Sequence, residues 1–303
     1  MRLHPREIRE VLNTASRQYG LISHRQARHF GIDDNRIHLL LRRREWGRLL
    51  PDVYTVRAAS AERTPSAVGR LRRAVKAAQL ALGPGAVASG PTAARLWGME
   101  GLPAWNGGAV HMTVPASCRR ARPPGVRIST WYVGRHELAC REGLPVTDPA
   151  RTLRDTVLCV DRDTAVSLMD SALAQGLITG RRLFEQPGLN EARAGGAASE
   201  RWWWLADPRA RSPLETRIRL VCADAGVSPD DLHHPVPLPG GGAARAPLWW
   251  ERGPVVADPD HRLSPEQERG LRRARPGLRL LRFTGDDLAR PRQLVAEVAE
   301  ALR

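Results

Sequence analysis

A series of short helical patterns around a tight turn, near the start of the chain, restricts the fold most strongly. PREIREVLNTASRQYG predicts a first helix, because its apolar residues recur at helical spacing, at Ile8, Val11, Leu12 and Ala15. SHRQ has a capping-box pattern, with Ser23 and Gln26, and predicts a short second helix that ends at Gly31. The sequence GIDD then predicts a tight turn.

A third helix and a hairpin follow this turn. Either aspartate of the pair 33–34 is placed to cap the helix NRIHLLLRRRE. Its inward residues are Ile37, Leu40 and Leu41, and its outward residues are Arg36, Arg42 and Arg43. WGRLLPDVYTV predicts a hairpin, since Pro51 and Asp52 separate two short apolar runs. Together these elements predict a winged helix-turn-helix over residues 1–57.

A helix of this kind binds DNA through arginines, which donate to guanine edges in the major groove or hold phosphates. Arg36 lies near the start of the third helix, where base contacts fall, and the later arginines are placed for phosphates. The alternative is a solvated basic helix in a structural module. The predicted DNA contacts are Arg25, Gln26, Arg36, Arg42, Arg43 and Arg48.

The positive charge is concentrated in the first half of the chain. The 303 residues include 47 Lys and Arg against 32 Asp and Glu, a formal net charge of +15. Residues 1–57 carry +6 and residues 58–143 carry +8, whereas 144–211 are neutral and 212–303 carry +1. Clustered cations favour a polyanion through counterion release, so we expect the DNA-binding surface in the first half.

The remaining patterns predict an α+β multidomain protein, with an α+β middle part at 66–190 and an α/β part at 212–303. Residues 58–65 are predicted to be a linker and RRARPP a loop. VGRLRRAVKAAQLAL and SPLETRIRLVCADAG predict helices, whereas VHMTV, PVVAD and LRLLRF predict strands. HHPVP falls in a segment rich in Pro and Gly that is predicted to form loops.

Several conspicuous side chains favour structural roles. Asp155 and Asp170 are expected to cap or brace helices, and the basic RLRRAVK to be a solvated helix. His233 and His234 have no third ligand at metal spacing, so no zinc site is expected. The rings of Trp202–Trp204 point in different directions on a helix, and we expect at least two of them to be largely buried.

Composition argues against a membrane or secreted protein. No apolar run reaches the roughly 18 residues that span a bilayer, and MRLHPREIRE is charged where a signal peptide needs apolar residues. The four cysteines form no short pair and are expected to be reduced. We therefore expect a cytoplasmic, bacterial-type protein with no membrane partner.

The stretch from GLISHRQ to DVYTV closely resembles the N-terminal winged helix of the AbiEi-type antitoxins of type IV toxin-antitoxin systems. GPTAARLWGM, VHMTVP and LPVTDPARTLRD follow in the order found in that family. The segment from SPLETRIRL to LRLLRFTGDDL is similar to an endonuclease-like domain related to very-short-patch repair nucleases. The resemblance covers nearly the whole chain.

This resemblance implies a transcriptional regulator, an autorepressor of an operon whose partner gene encodes a nucleotidyltransferase toxin. Double-stranded DNA would be its ligand, a cognate toxin a second partner, and no cofactor would be needed. Two alternatives stay open: a Mg²⁺-dependent endonuclease targeted by the winged helix, and a protein-interaction module that binds a toxin.

The similarity to nucleases also identifies candidate metal ligands. Glu215 stands where the first acid belongs, and Asp258 and Asp260 stand near the later carboxylates. Pro247 occupies the place of the central aspartate, where it would also interrupt the strand, and His261 replaces a glycine. The only nearby acid on that strand, Glu251, lies too far along it to replace the missing ligand. The implied domain is therefore a degenerate restriction-endonuclease-like fold with vestigial acids and no metal.

Overall fold

The computed structural model describes residues 5–59, 66–118, 122–239 and 241–303, which form two compact units. Unit 1 comprises Met1–Gly98 with Leu102–Thr156, and unit 2 comprises Met99–Gly101 with Val157–Arg303. Helices and three sheets make a mixed α+β protein, as predicted. The predicted middle part, residues 66–190, contributes to both of these units. The division into three parts stays a prediction. Most of the predicted linker 58–65, and half of the loop RRARPP, lie outside the described residues.

Unit 1 contains two sheets. Its helices are α1 (Pro5–Ser16), α2 (His24–His29), α3 (Asp34–Arg42), α4 (Ala67–Leu82), α5 (Gly90–Trp97) and α6 (Pro149–Val157). Its strands are β1 (Leu21–Ser23), β2 (Trp46–Leu50), β3 (Val53–Val56), β4 (Val87–Ala88), β5 (Val110–Thr113), β6 (Val126–Ser129), β7 (Leu138–Arg141) and β8 (Leu144–Thr147). The sheet orders are β1-β3-β2 and β6-β5-β4-β8-β7. The predicted helices α1 to α3 and the hairpin β2-β3 are confirmed.

Helix α4 packs against both sheets of unit 1. One face, at helical spacing, enters the core of the five-stranded sheet and comprises Leu71, Val75, Ala78 and Leu82. Ala77 and Ala81 lie on another face and pack with Leu21 of β1 and Val53 of β3. The three-stranded sheet therefore depends on α4 for part of its core.

Unit 2 is built on one four-stranded sheet. Its helices are α7 (Arg162–Ala174), α8 (Gly180–Phe184), α9 (Gly196–Ser199), α10 (Pro213–Asp224), α11 (Pro265–Ala274) and α12 (Pro291–Ala301). Its strands are β9 (Asp231–Pro237), β10 (Ala243–Trp250), β11 (Val255–Pro259) and β12 (Arg279–Phe283), in the order β12-β11-β10-β9. Ile218 of α10 and Val298 of α12 pack in one core cluster, and Leu271 of α11 packs in another. Only β11 and β12 pair in parallel, and α11 connects them.

Two predictions about this sheet are wrong. HHPVP is not a loop but part of β9, an edge strand, where prolines are tolerated because one side of the backbone has no ladder partner. Pro247 does not interrupt β10, which is continuous from Ala243 to Trp250. Opposite it His233 has φ +53°, and the pairing with β9 keeps one register on both sides, with Ala246 opposite His234 and Leu248 opposite Leu232.

Two of the three tryptophans are largely buried, as predicted. Trp203 is fully buried, Trp202 is mostly covered, and Trp204 is 62% exposed and stacks on Phe184 with ring centroids 4.9 Å apart. The three rings lie on a 3₁₀ helix, Glu200–Leu205, whose three residues per turn point consecutive side chains about 120° apart. Only one of three neighbours can then face the core.

Asp155 and Asp170 brace helices, as predicted. Asp155 accepts hydrogen bonds from Arg151 Nε on the same helix, at 2.9 Å to each carboxylate oxygen. Asp170 of α7 accepts from Thr216 Oγ1 of α10 at 2.7 Å and from the backbone N–H of Asp207 at 2.7 Å. Both carboxylates are therefore engaged in holding secondary structure together.

Candidate nucleic-acid interface

The second helix begins as its sequence predicts. Ser23 is the N-cap of α2: its hydroxyl accepts from Gln26 N at 3.2 Å, and Gln26 Oε1 accepts from Ser23 N at 3.0 Å. Residues 30–33 then turn the chain, with Gly31 at φ +83° and Ile32 buried. Asp33 caps α3 by accepting from Arg36 N at 2.8 Å. The turn and both caps thus fix the direction in which α3 leaves α2.

Helix α3 buries one face and exposes the other. Ile37 and Leu40 are buried in a core cluster with residues of α1 and the hairpin. Arg36 is half-buried and Arg42 is exposed. Arg43 does not lie on the helix as predicted, because it is the C-cap residue that follows the last helical turn. It is exposed beside the helix end, so the basic surface continues past α3.

The end of α3 contains a strained residue. Arg44 has φ +58°, its N–H donates to Leu41 O at 3.0 Å, and the next N–H donates from Glu45 to Leu40 O at 3.1 Å. This is a Schellman motif with arginine at the position that favours glycine.

We expect Arg44→Gly to raise the free energy of unfolding by roughly 0.5–1 kcal/mol, because glycine adopts the left-handed conformation without the Cβ clash. Urea denaturation of the full chain measures this change. Arg43→Gly is the matched control, since Arg43 has φ −75° and ψ −2° and should lose stability slightly. Equal effects of the two substitutions would contradict the explanation.

The hairpin and α2 add further cations to this surface. Arg48 of β2 is exposed, and its guanidinium carbon lies 5.9 Å from the ring centroid of Tyr54 across the sheet. Arg25 is exposed on α2, and Arg28, three residues later, is exposed as well. Arg28 and Arg44 are not among the predicted contacts, although spacing of three on a helix places Arg28 near Arg25. Residues 24–48 contain seven arginines and three acidic residues.

The side chain of Gln26 is hydrogen-bonded within the protein. Besides the cap bond of its Oε1, its Nε2 donates to Gln18 Oε1 at 3.1 Å. Gln18 Nε2 in turn donates to Gln26 Oε1 at 3.2 Å. A DNA contact through this amide would require these bonds to break. Asp34 lies on the same part of the surface, 3.3 Å from His24 Nε2, and adds a negative charge that the predicted contact set does not include.

The candidate acids of unit 2 are engaged by protein donors. Glu215 is buried, and its Oε2 accepts from Arg211 N at 2.7 Å and lies 3.0 Å from His233 Nε2. Asp258 is buried and accepts from Arg262 N at 2.9 Å and from Leu263 N at 3.2 Å. Burial raises the pKa of Asp258 above its ordinary value, although these two amides oppose the shift.

Asp260 is separate from this pair, being exposed at φ +56° just after β11. Within the described ranges, no group of three or more His, Cys, Asp or Glu side chains is arranged to hold a metal ion. The four cysteines are free. No helix in the described part of the chain is both long enough and apolar enough to cross a membrane.

Two proteins of Mycobacterium tuberculosis, the uncharacterized proteins Rv2248 and MT2308, are each 30% identical to this chain over 208 residues. The match covers 69% of this chain and 70% of each relative. The chain belongs to their family. Each unit holds about 150 residues, so a match of 208 residues includes parts of both units and the family shares more than the N-terminal helices.

Membership of this family assigns no activity, because both relatives are described as uncharacterized. No family model matches the chain. The crystal structure of the RV2827C protein from Mycobacterium tuberculosis is similar to 78% of this chain and 86% of its own, with 16% identity and a TM-score of 0.41. Similarity at that level assigns neither a fold nor a function.

Proposed function

We propose that this protein is a DNA-binding transcriptional regulator whose residues 1–57 form a winged helix-turn-helix. The observation that carries the proposal is the order of elements in unit 1: α2 and α3 joined by four residues, then the hairpin β2-β3, with exposed arginines on or beside α2, α3 and β2. In domains of this kind the second helix of the pair enters the major groove. The strong positive charge of the first 143 residues supports the same ligand.

The arginines have different proposed roles. Arg36 is the third residue of α3 and would contact base edges, since recognition helices read bases mainly with their N-terminal residues. Arg42, Arg43 and Arg48 would hold phosphates, which position the protein without reading sequence. The resemblance to AbiEi-type antitoxins supports an autorepressor acting in the cytoplasm, with a cognate toxin as a proposed second partner.

The test measures binding of the full chain to a labelled duplex from its own promoter, with fluorescence anisotropy as the readout. We expect a triple variant that combines Arg36→Ala, Arg42→Ala and Arg43→Ala to bind on the order of 100-fold more weakly at physiological salt. Three contacts of about 1 kcal/mol each are lost in this variant. The log-log salt slope should fall by about one unit for each phosphate contact removed. Arg36→Ala alone should relax sequence preference, whereas Arg48→Ala should weaken all duplexes alike.

A control variant removes the same charge elsewhere: Arg181→Ala, Arg182→Ala, Arg201→Ala, all at exposed positions of unit 2. It should retain wild-type affinity, which separates a local interface from a general effect of net charge. Undiminished binding by the first triple variant would refute the assignment.

We also propose that residues 212–303 have a restriction-endonuclease-like fold that does not cut DNA. Pro247 supplies no side-chain carboxylate at the central position, and Glu215 and Asp258 are already bonded to protein donors that would compete with Mg²⁺. Mg²⁺ requires near-octahedral oxygen ligands, and each missing anion lowers its affinity. These residues do not fit a catalytic metal site.

Supercoiled plasmid incubated with the purified full chain and Mg²⁺ or Mn²⁺ should remain uncut. The comparison is a Glu215→Ala, Asp258→Ala variant, with circular dichroism to establish that it is folded. An Asp260→Ala variant, at an exposed position, provides a second comparison with less risk to folding. Cleavage by the wild type that either variant loses would favour the endonuclease alternative over a scaffold.

A further inference from the structure

Unit 1 contains a cavity of about 580 Å³ beside the proposed DNA-binding surface. Its walls come from α2, the turn of the β2-β3 hairpin, the C-terminal half of α4 and the loop that follows α4. This volume lies in the range of sites that hold small organic molecules, roughly 300–1,000 Å³. Neither the predicted DNA contacts nor the proposed nuclease-like fold explains it.

The lining combines cations with apolar walls. Arg25, Arg28 and Lys76 contribute three positive charges, against one lining carboxylate, that of Asp52. The apolar lining residues include Leu80, Pro84, Ala86 and Pro145. A site of this composition favours a ligand that has both an anionic group and an apolar body.

Lys76 is the most informative of these residues. It is the single lysine among 47 basic residues, and it lies on α4, a helix that otherwise carries arginines. Its Nζ donates to Gly143 O at 3.4 Å, and no carboxylate among the described residues forms a salt bridge with it. Burial lowers the pKa of this amine, so an anion bound beside it would relieve an unfavourable desolvation.

We propose that this cavity binds a small organic anion, an aromatic or aliphatic carboxylate or sulfonate, as an effector. Lys76 and Arg25 bind its anionic group, and the apolar wall around Leu80 and Pro145 covers its body. Arg25 is also a predicted DNA contact, so the bound anion competes with phosphate and lowers DNA affinity. This regulatory step rests on the proposed DNA-binding function, whereas ligand binding itself does not.

The probe is anilinonaphthalene sulfonate, an aromatic anion whose fluorescence rises in apolar sites. Titration of the full chain should give a saturable component that Lys76→Gln and Arg25→Gln each weaken at least about 10-fold, as expected for loss of a charged contact. Arg70→Gln, on the exposed side of α4, should leave that component unchanged. The uncharged analogue phenylnaphthylamine should bind at least about 10-fold more weakly than the sulfonate.

A second measurement needs no variant. Because Lys76 is the only lysine, acetylation by an amine reagent is confined to this side chain and the N-terminal amine, which peptide mass spectrometry separates. The probe should slow acetylation of Lys76 at least about 5-fold and leave the N-terminal amine unaffected. An unprotected Lys76, or equal affinity for the uncharged analogue, would overturn the anion site.

DNA binding distinguishes the two proposals. Saturating probe should weaken binding of the promoter duplex at least about 5-fold in the wild type, with no such effect in Lys76→Gln. Protection of Lys76 without any effect on DNA affinity would overturn the regulatory step alone. Protection in a protein that binds no DNA would refute the proposed function and leave the ligand site standing.

Discussion

Replacement of Asp170 by alanine is expected to lower the free energy of unfolding of unit 2 by roughly 3–5 kcal/mol at pH 7, because three donors lose their acceptor in a buried site. The donors are Asp207 N at 2.7 Å, Thr216 Oγ1 at 2.7 Å and Arg219 Nη2 at 3.0 Å. Arg219, itself largely buried, would keep its hydrogen bond to Leu205 O but lose its carboxylate partner. Urea denaturation measures the loss. Asp224→Ala, which breaks an exposed pair with Arg162, is the control and should cost at most about 1 kcal/mol.

The pH dependence of the same carboxylate provides an independent check. Burial raises the pKa of Asp170 from 3.8 to about 6, although Arg219 and two hydrogen bonds oppose it. Between these values the folded state holds a proton that the unfolded state releases, so the free energy of unfolding falls as pH rises through this window, by up to roughly 3 kcal/mol. The Asp170→Asn variant has no titrating group at this position, so its stability does not change with pH for this reason. The stability difference between wild type and this variant should therefore shrink from pH 4 to pH 6, and a constant difference would contradict the assignment.

The second large effect is expected at Arg151 in unit 1. This guanidinium is buried and donates to Glu137 Oε2 at 2.8 Å, to Tyr132 O at 2.7 Å and to both oxygens of Asp155 at 2.9 Å. Arg151→Ala should lower the free energy of unfolding by roughly 3–5 kcal/mol, since it leaves Asp155 as a buried anion without this partner. Arg151→Lys should recover only part of the loss, because an ammonium cannot reproduce the planar set of donors. Thermal and urea denaturation of the full chain give both values.

Arg135→Ala is the matched control for Arg151, because it removes an exposed arginine from the same region of unit 1. The ion-pair network that Glu137 forms with Arg151 and Arg154 also makes the stability depend on pH. Burial alone would raise the pKa of Glu137, but the Gly134 N–H and the guanidinium groups of Arg151 and Arg154 hold it below its ordinary value of 4.5. Its contribution to stability is therefore present above pH 4.5 and is lost as the pH falls through the lowered pKa. A loss at Arg151 no larger than that at Arg135 would contradict the proposed network.

Local patterns predicted most of the secondary structure. The capping box at Ser23 and the turn at Pro51 act within four residues, so the sequence alone indicates them. The strands that prediction missed depend on distant partners. Strand β1 has three residues and exists through pairing with β3, and β9 tolerates its prolines only because it is an edge strand.

The candidate interface was predictable in outline and not in detail. The charge distribution and helical spacing indicate which arginines face outward, but periodicity does not say that α3 ends before Arg43 or that Gln26 is bonded to Gln18. The cavity around Lys76 could not be predicted. Its walls come from α2, the hairpin and α4, which are separated along the sequence and brought together only by the fold.

The packing of α4 has a consequence for how this protein can be cut or recombined in evolution. Leu21 and Val53 are fully buried in the whole chain, and part of what covers them is Ala77 and Ala81 of α4. A fragment that stops at residue 57 would open that apolar surface to water, where it favours self-association. A gene fusion that transferred the proposed DNA-binding segment to another protein would therefore have to include α4. The smallest transferable domain ends no earlier than Leu82.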